Sequence, residues 1–200
     1  MGNVGSDERI AVAEARVRRH DPGRQERIVE AALRVLARDG VVAITHRSVA
    51  READVPLGST TYHFASLDDL VLQAFEVHVD KLATRFERRL SAVDSIDGLV
   101  DALADAVEVD LGADAGDLAL TYELYGAAVR SAGVRRLTER WMSRAEAALQ
   151  RHVDLDTARL IDTVVEGLMV HRSIAGRPLR RDAVVSMLRR AIAAAPSSDA

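Results

Sequence analysis

Apolar residues return every three to four positions along most of this chain, and no stretch keeps the alternation of a half-buried strand between turn clusters. Ile28, Ala31, Ala32, Val35 and Leu36 fall at i, i+3, i+4, i+7 and i+8, which is one buried stripe on a first helix. Asp21-Pro22 reads as its start, with Asp as the cap and Pro in the first turn. Asp39-Gly40 reads as its end, because glycine suits the left-handed position after a helix. A short apolar link, Val41 to Ile44, leads to Thr45, a good N-cap for a second helix carrying Val49, Ala50 and Ala53. Asp54-Val55-Pro56 then breaks the chain before a third short segment, Leu57 to Phe64. Two short helices across a tight break, after a longer supporting helix, follow the plan of a helix-turn-helix domain.

Ser66 with Asp69 three residues later resembles a capping box and opens a long fourth helix. Leu67, Leu70, Val71, Ala74, Phe75, His78, Leu82 and Phe86 keep helical spacing to about Leu90. That helix is too long for the small head and is expected to run into a second domain. Further helices are predicted at about 95–110, 117–131, 134–153, 156–175 and 180–195, with Gly112, Gly116, Gly133 and Gly176-Arg177-Pro178 as punctuation. The expected organisation is all-α: an arm over 1–20, a helix-turn-helix head over 21–66, a helical body over 67–195 and a tail over 196–200.

Composition agrees and narrows the function. Of 200 residues, 48% are hydrophobic and only 4% aromatic, while Pro is scarce, which favours helices over a sandwich or barrel. The absence of cysteine excludes disulfides, zinc ribbons and cysteine nucleophiles. No apolar run approaches a membrane span and the N-terminus lacks a signal-peptide core, so a soluble cytoplasmic protein without membrane contact is expected. Gly2 to Ser6 fits the myristoylation pattern, a match so short that it recurs by accident. No His pair at i, i+4, no Gly-rich phosphate loop and no paired Glu-x-x-His argue against an enzyme, a metal site or a cofactor. The net charge of −4 hides an asymmetry: residues 1–66 hold ten Arg against nine acids, and residues 67–200 hold seventeen basic residues against 22 acids. The sign is compatible with a nucleic-acid-binding head on an acidic body.

From Arg24 to Leu70 the sequence reads RQERIVEAALRVLARDGVVAITHRSVAREADVPLGSTTYHFASLDDL, which closely resembles the DNA-binding domain of the TetR family over roughly the first third of the chain. The resemblance rests on the first stripe, Gly40, Thr45, Val49-Ala50, Gly58, His63, Phe64, Ser66 and Leu70 in order and spacing. It implies a homodimeric regulator, most often a repressor, that leaves a pseudo-palindromic operator when a small-molecule effector binds. DNA contacts are then expected from Thr45, His46, Arg47, Leu57, Gly58, Ser59, Thr60, Thr61, Tyr62 and His63. The chemistry suits that role. Thr45 joins a hydroxyl to free helix N-terminal amides, Arg47 can fork onto phosphate or guanine, and Gly58 removes bulk beside the sugar-phosphate wall. Phe64 is expected to turn inward and lock the recognition segment.

Three positions depart from the family pattern. Asp54 stands where Gly is usual, Thr61 where a phosphate-binding Tyr is usual, and Leu67 where a Lys commonly holds phosphate. These departures leave open a second reading, a helical interaction module whose head no longer binds DNA. In the family's architecture the last two long helices form the dimer interface, which here points to Leu160, Ile161, Val164, Val165, Gly167, Leu168, Val184, Val185, Leu188 and Ile192, unless those faces are intramolecular core. Phe75, His78, Phe86, Tyr122, Tyr125 and Trp141 lie on helices that surround an effector pocket in the family, implying a mainly apolar ligand with one or two polar handles.

Overall fold

A computed structural model describes residues 22–113, 115–175 and 179–194. The described residues form helices and their connections: α1 Arg24–Asp39, α2 His46–Glu52, α3 Leu57–His63, α4 Leu67–Ser91, α5 Ile96–Ala113, α6 Ala115–Ala128, α7 Ala132–Leu149, α8 Leu155–Ala175 and α9 Arg181–Ala193. The arm over 1–20, the tail over 196–200, Asp21 and the Gly176-Arg177-Pro178 break lie outside the described residues.

Local chemistry accounts for most boundaries in the head. Gly23, not Asp21, occupies the cap position of α1, and no side chain caps there. Gly40 ends α1 at φ +77°, a region glycine enters without steric cost, and its N–H donates to Leu36 O at 3.0 Å. Thr45 caps α2 in extended conformation. Its hydroxyl accepts from Ser48 N at 3.0 Å, while Ser48 Oγ accepts from Thr45 N at 2.9 Å. Asp54, before α3, has φ +51°, which explains why glycine is the usual residue there; Asp is among the few side chains that tolerate it. Ser66 caps α4 through Asp69 N at 3.1 Å, but the Asp69 carboxylate accepts from Ala65 N rather than closing the box on Ser66. The expected glycine punctuation is corrected farther on. Gly112, Gly116 and Gly133 lie inside the end turns of α5, α6 and α7, where a glycine is tolerated at modest cost.

Two cores organise the chain. The first gathers Ile28, Val35, Leu36, Val49, Phe64 and Leu70 of the head, but also Phe75 of α4, Leu120 and Leu124 of α6, and Val134 and Leu137 of α7. The head is therefore seated on the body through shared packing. Phe64, 1% exposed, does turn inward, and burying a side chain of that size is worth about 1.5–3 kcal/mol. The second core joins Leu99, Val100 and Leu103 of α5 with Leu149, Ile161, Val165, Leu168, Val184 and Leu188. The 25 residues of α4 extend about 37 Å at the usual helical rise, long enough to connect the two regions.

Candidate functional site

The head presents one polar face. Thr45, Arg47, Gly58, Thr61 and Tyr62 are exposed, and Tyr62 is 84% exposed, unusual for an aromatic. Arg47 makes no ion pair among the described residues, whereas Arg34 and Arg38 of α1 are both tied to Glu52 at 2.9 and 3.0 Å. Arg47 is thus left as a cation on the outer surface of α2. A Cβ built on Gly58 would meet nothing within 4 Å, and Gly58 has no positive φ, so the fold itself does not require glycine there. Leu57 is 44% exposed, while His46, Ser59 and His63 are half-buried, and the His63 ring meets Tyr62 edge-on at 5.1 Å.

Thr60 is a correction. It is fully buried and its hydroxyl donates to Leu57 O at 2.8 Å, so it packs α3 onto the head and is withheld from the outer face. Period explains the miss: in a seven-residue helix, Thr61 and Thr60 point in different directions although both look alike in sequence. Leu67 is half-buried against the head core, so its side chain serves packing where the family more often places a charge.

A cavity opens between α4, α6, α7 and α8. Phe86, Tyr122, Tyr125 and Trp141 line it, with Met142 and Met169, and its free volume is about 90 Å³. Tyr125 and Trp141 stack with centroids 5.8 Å apart. Two of the expected ligand residues are elsewhere. Phe75 is fully buried in the head-side core. His78 lines a separate, more open recess of about 260 Å³ between α1, α4 and α6, whose mouth carries Arg34 and Lys81. Its Nε2 lies 3.2 Å from Thr121 Oγ1, whose own proton goes to the Asp117 carbonyl at 2.9 Å, so the imidazole donates.

The aromatic cavity also holds carboxyl groups that the sequence reading did not single out: Asp117, Asp162 and Glu166. Tyr125 donates to Glu166 Oε2 at 2.8 Å, and Tyr122 meets Ser173 Oγ at 2.5 Å. Burial raises the Glu166 carboxyl above its usual range against the stabilising bond from Tyr125, and burial with the nearby acids keeps Tyr125 protonated. Burial, reinforced by Glu166 and Glu146, pushes Asp162 up to about 7. The signal for this pair was present as two acids at i, i+4 on a helix with several apolar positions.

Helix α8 therefore has three faces. Asp162, Glu166, Met169 and Val170 look into the cavity. Ile161, Val165 and Leu168 face the second core, together with Val184 and Leu188 of α9, so within one protomer these five are already covered by its own packing; Val164, Val185 and Ile192 pack partly buried against the same core. Leu160, 39% exposed, and Gly167, with nothing within 4 Å of an added Cβ, remain outward, as do Ile174 and Met187.

A long helix joins the cap-defined helix-turn-helix head to the cavity-bearing helical body. The sequence profile of the tetracyclin repressor-like C-terminal domain matches residues 94–194. SCO7518 of Streptomyces coelicolor A3(2), described as a transcriptional regulator, is 37% identical with a TM-score of 0.79, over 86% of this chain and 99% of its own. This chain belongs to the TetR family of transcriptional regulators. The multidrug binding protein EbrR, in complex with ethidium, is 36% identical with a TM-score of 0.73, over 84% of this chain and 98% of its own; EbrR is also known in complex with proflavin and with malachite green. The HTH-type transcriptional regulator BetI of Rhizobium meliloti (strain 1021) is 27% identical over 84% of this chain and 86% of its own length. TetR-type regulators are DNA-binding proteins responsive to small molecules, and this chain has the all-α build of the family. No helix among the described residues is long and apolar enough to cross a membrane.

Proposed function

We propose that this TetR-family chain, as a homodimer, represses from a pseudo-palindromic operator, and that a lipophilic aromatic cation entering the α4–α6–α7–α8 cavity releases it. The carrying observation is the combination, in one cavity, of aromatic walls with acids that make no ion pair among the described residues: Phe86, Tyr122, Tyr125 and Trp141 beside Asp162 and Glu166. Aromatic faces attract cations, and a buried carboxyl sharpens that preference. EbrR, similar over most of the chain, binds ethidium, proflavin and malachite green, which supports the same ligand class here.

Operator contact is assigned to Thr45, His46, Arg47, Leu57, Gly58, Ser59, Thr61, Tyr62 and His63. Arg47 has a free guanidinium on the surface, and Gly58 lacks a side chain that the fold would accommodate. Arg47→Ala is expected to cost about 1–3 kcal/mol in operator binding and relax specificity at one position, while Tyr62→Phe weakens all sequences alike. Fluorescence anisotropy on the DNA flanking its own gene, with heparin as competitor, measures both. Wild-type affinity in both variants would reject the assignment.

Dimerisation is assigned to the outward faces of α8 and α9 at Leu160, Gly167, Ile174 and Met187, which leave apolar surface uncovered within one protomer. Leu160→Glu with Ile174→Glu is expected to give folded monomers in sedimentation, whereas Leu168→Glu unfolds the chain. Folded dimers in the first variant would move the interface elsewhere.

Release follows from size and leverage. A cavity of about 90 Å³ is smaller than the ~300 Å³ at the low end for ligand sites, so a cation enters only by spreading the helices. Leu82, Arg85 and Phe86 of α4 are in its wall, and the same helix begins at Ser66 beside α3. Displacement of a few ångströms at each head spoils the spacing of about 34–36 Å between successive major grooves. A coupling of about 1–3 kcal/mol lowers operator affinity roughly 5- to 150-fold, and operator weakens the effector by the same factor. Titrating ethidium with and without operator tests this. Equal affinity in both conditions would refute release by this route.

A further inference from the structure

The effector cavity proposed above contains three carboxyl groups whose surroundings differ, and the inference rests on that reading of the cavity. Asp117 is neutralised from α4 by Lys81 Nζ at 3.0 Å and Arg85 Nη1 at 3.5 Å. Glu166 is held by the Tyr125 hydroxyl at 2.8 Å. Asp162 has neither an ion pair nor a hydrogen bond among the described residues, although it lines the same cavity. It lies one helical turn before Glu166, so the two carboxyl groups share a face of α8.

Among the described residues, the elements packed around Asp162 supply no spare positive charge. From α4 comes Arg85, engaged by Asp117. From α6 come Asp117, Tyr122 and Tyr125, and from α7 comes Glu146, whose charge is turned toward Arg159 at 3.6 Å. Two carboxylates one turn apart in an apolar cavity, with no cation between them, do not both stay ionised. The empty cavity is therefore neutralised by a proton, in keeping with the upward displacement of Asp162 to about 7.

We propose that Asp162 is the residue that meets the effector's positive charge, and that it does so by exchanging its proton for the cation. The carboxylic acid ionises as one cation enters and one H⁺ leaves to solvent, so the total charge of the cavity is the same before and after. Glu166 stays fixed by Tyr125 and acts as a positioning residue, its field setting how readily Asp162 gives up the proton. Charge selectivity follows. A neutral aromatic of similar shape displaces no proton and gains no ion pair, whereas a cation gains a partner that the empty protein holds as the neutral acid below about pH 7.

The test uses the full-length protein and ethidium, a permanent cation. Calorimetric titrations in two buffers of different ionisation enthalpy count the protons released, and ethidium fluorescence gives the affinity from about pH 5.5 to about pH 8.5. Close to one proton is expected to leave per ethidium near pH 6, falling toward none above about pH 8. Affinity falls about tenfold per pH unit on the acid side and levels off on the basic side. Asp162→Asn, checked for native circular dichroism, is expected to flatten that profile and to weaken ethidium at least about tenfold at pH 8. Glu166→Gln keeps the slope but moves it to lower pH. Ethidium binding without proton release, or a slope that persists in Asp162→Asn, overturns the exchange and leaves the cation cavity standing. Failure of ethidium to bind at any pH overturns both.

Discussion

The two walls of the cavity hold the same residue type in opposite circumstances. On one side Asp117, 7% exposed, is surrounded by Lys81, Arg85 and His78, the last with Nδ1 at 3.8 Å. On the other, Asp162 faces Glu166 and Glu146 and makes no ion pair among the described residues. A buried acid with its partners supplied ties α4 to α6. A buried acid without them costs stability and stays available to a ligand, a division of labour that separates holding the fold from reading the effector.

The largest effect should come from removing the unpartnered acid. The carboxyl of Asp162 is raised from an ordinary value of 3.8 to about 7 on folding, so the folded chain holds this proton more tightly than the unfolded chain. The stability it contributes is fully present below about pH 4 and is lost as pH rises to about 7. Asp162→Asn should therefore be more stable than wild type by on the order of 3 kcal/mol at about pH 8, with the gain vanishing toward about pH 4. Urea unfolding at a series of pH values measures it. A gain that does not change with pH would break the contrast between the walls.

Asp117→Asn should act in the other direction. It removes the carboxylate that Lys81 and Arg85 meet at 3.0 and 3.5 Å, and a loss of about 1–2 kcal/mol is expected, moderated because Lys81 is half exposed and can be solvated. It also leaves Arg85, which lines the same cavity, with one carboxylate partner fewer, so that its charge opposes an entering cation more strongly. Ethidium affinity in this variant should fall together with stability. Stability that falls while ethidium affinity rises would mean that the Arg85 charge is not felt at Asp162.

The smallest effect belongs to Tyr125→Phe. It removes a single hydroxyl from Glu166 and should cost about 1 kcal/mol in urea unfolding. Without that donor the Glu166 carboxyl rises further and carries less charge, so the pH profile of ethidium binding moves to lower pH, as in Glu166→Gln but by less. An unmoved profile would show that Glu166 does not shape the field at Asp162.

Legibility followed the range of the interactions. Gly40, Thr45 and Ser66 act on amides within a few residues of themselves, so the C-terminal end of α1 and the starts of α2 and α4 were readable from neighbours alone. The head's resemblance carried its outer face as well, except for Thr60, whose burial depends on how a short helix is rotated onto the core. The body was harder. Ile161, Val165, Leu168, Val184 and Leu188 are apolar at helical spacing whether they meet a second protomer or their own α5, and only packing distinguishes the two. Phe75 and His78 share the apolar stripe of α4 with Phe86, yet that stripe passes from the head-side core, past a separate recess, to the cavity.

By itself the sequence determined the helices, the head and the family, because periodicity, caps and the motif are local or linearly ordered properties of the chain. Tertiary structure decided which acid is paired and which is not. Asp117 and Asp162 are 45 positions apart in sequence and are alike as residues. What separates them is that α4 brings Lys81 and Arg85 to one, while Glu146 of α7 and Glu166 of α8 set further carboxylates against the other. Electrostatic energy depends on distance through space and on the exclusion of water, and neither exists until the helices have packed.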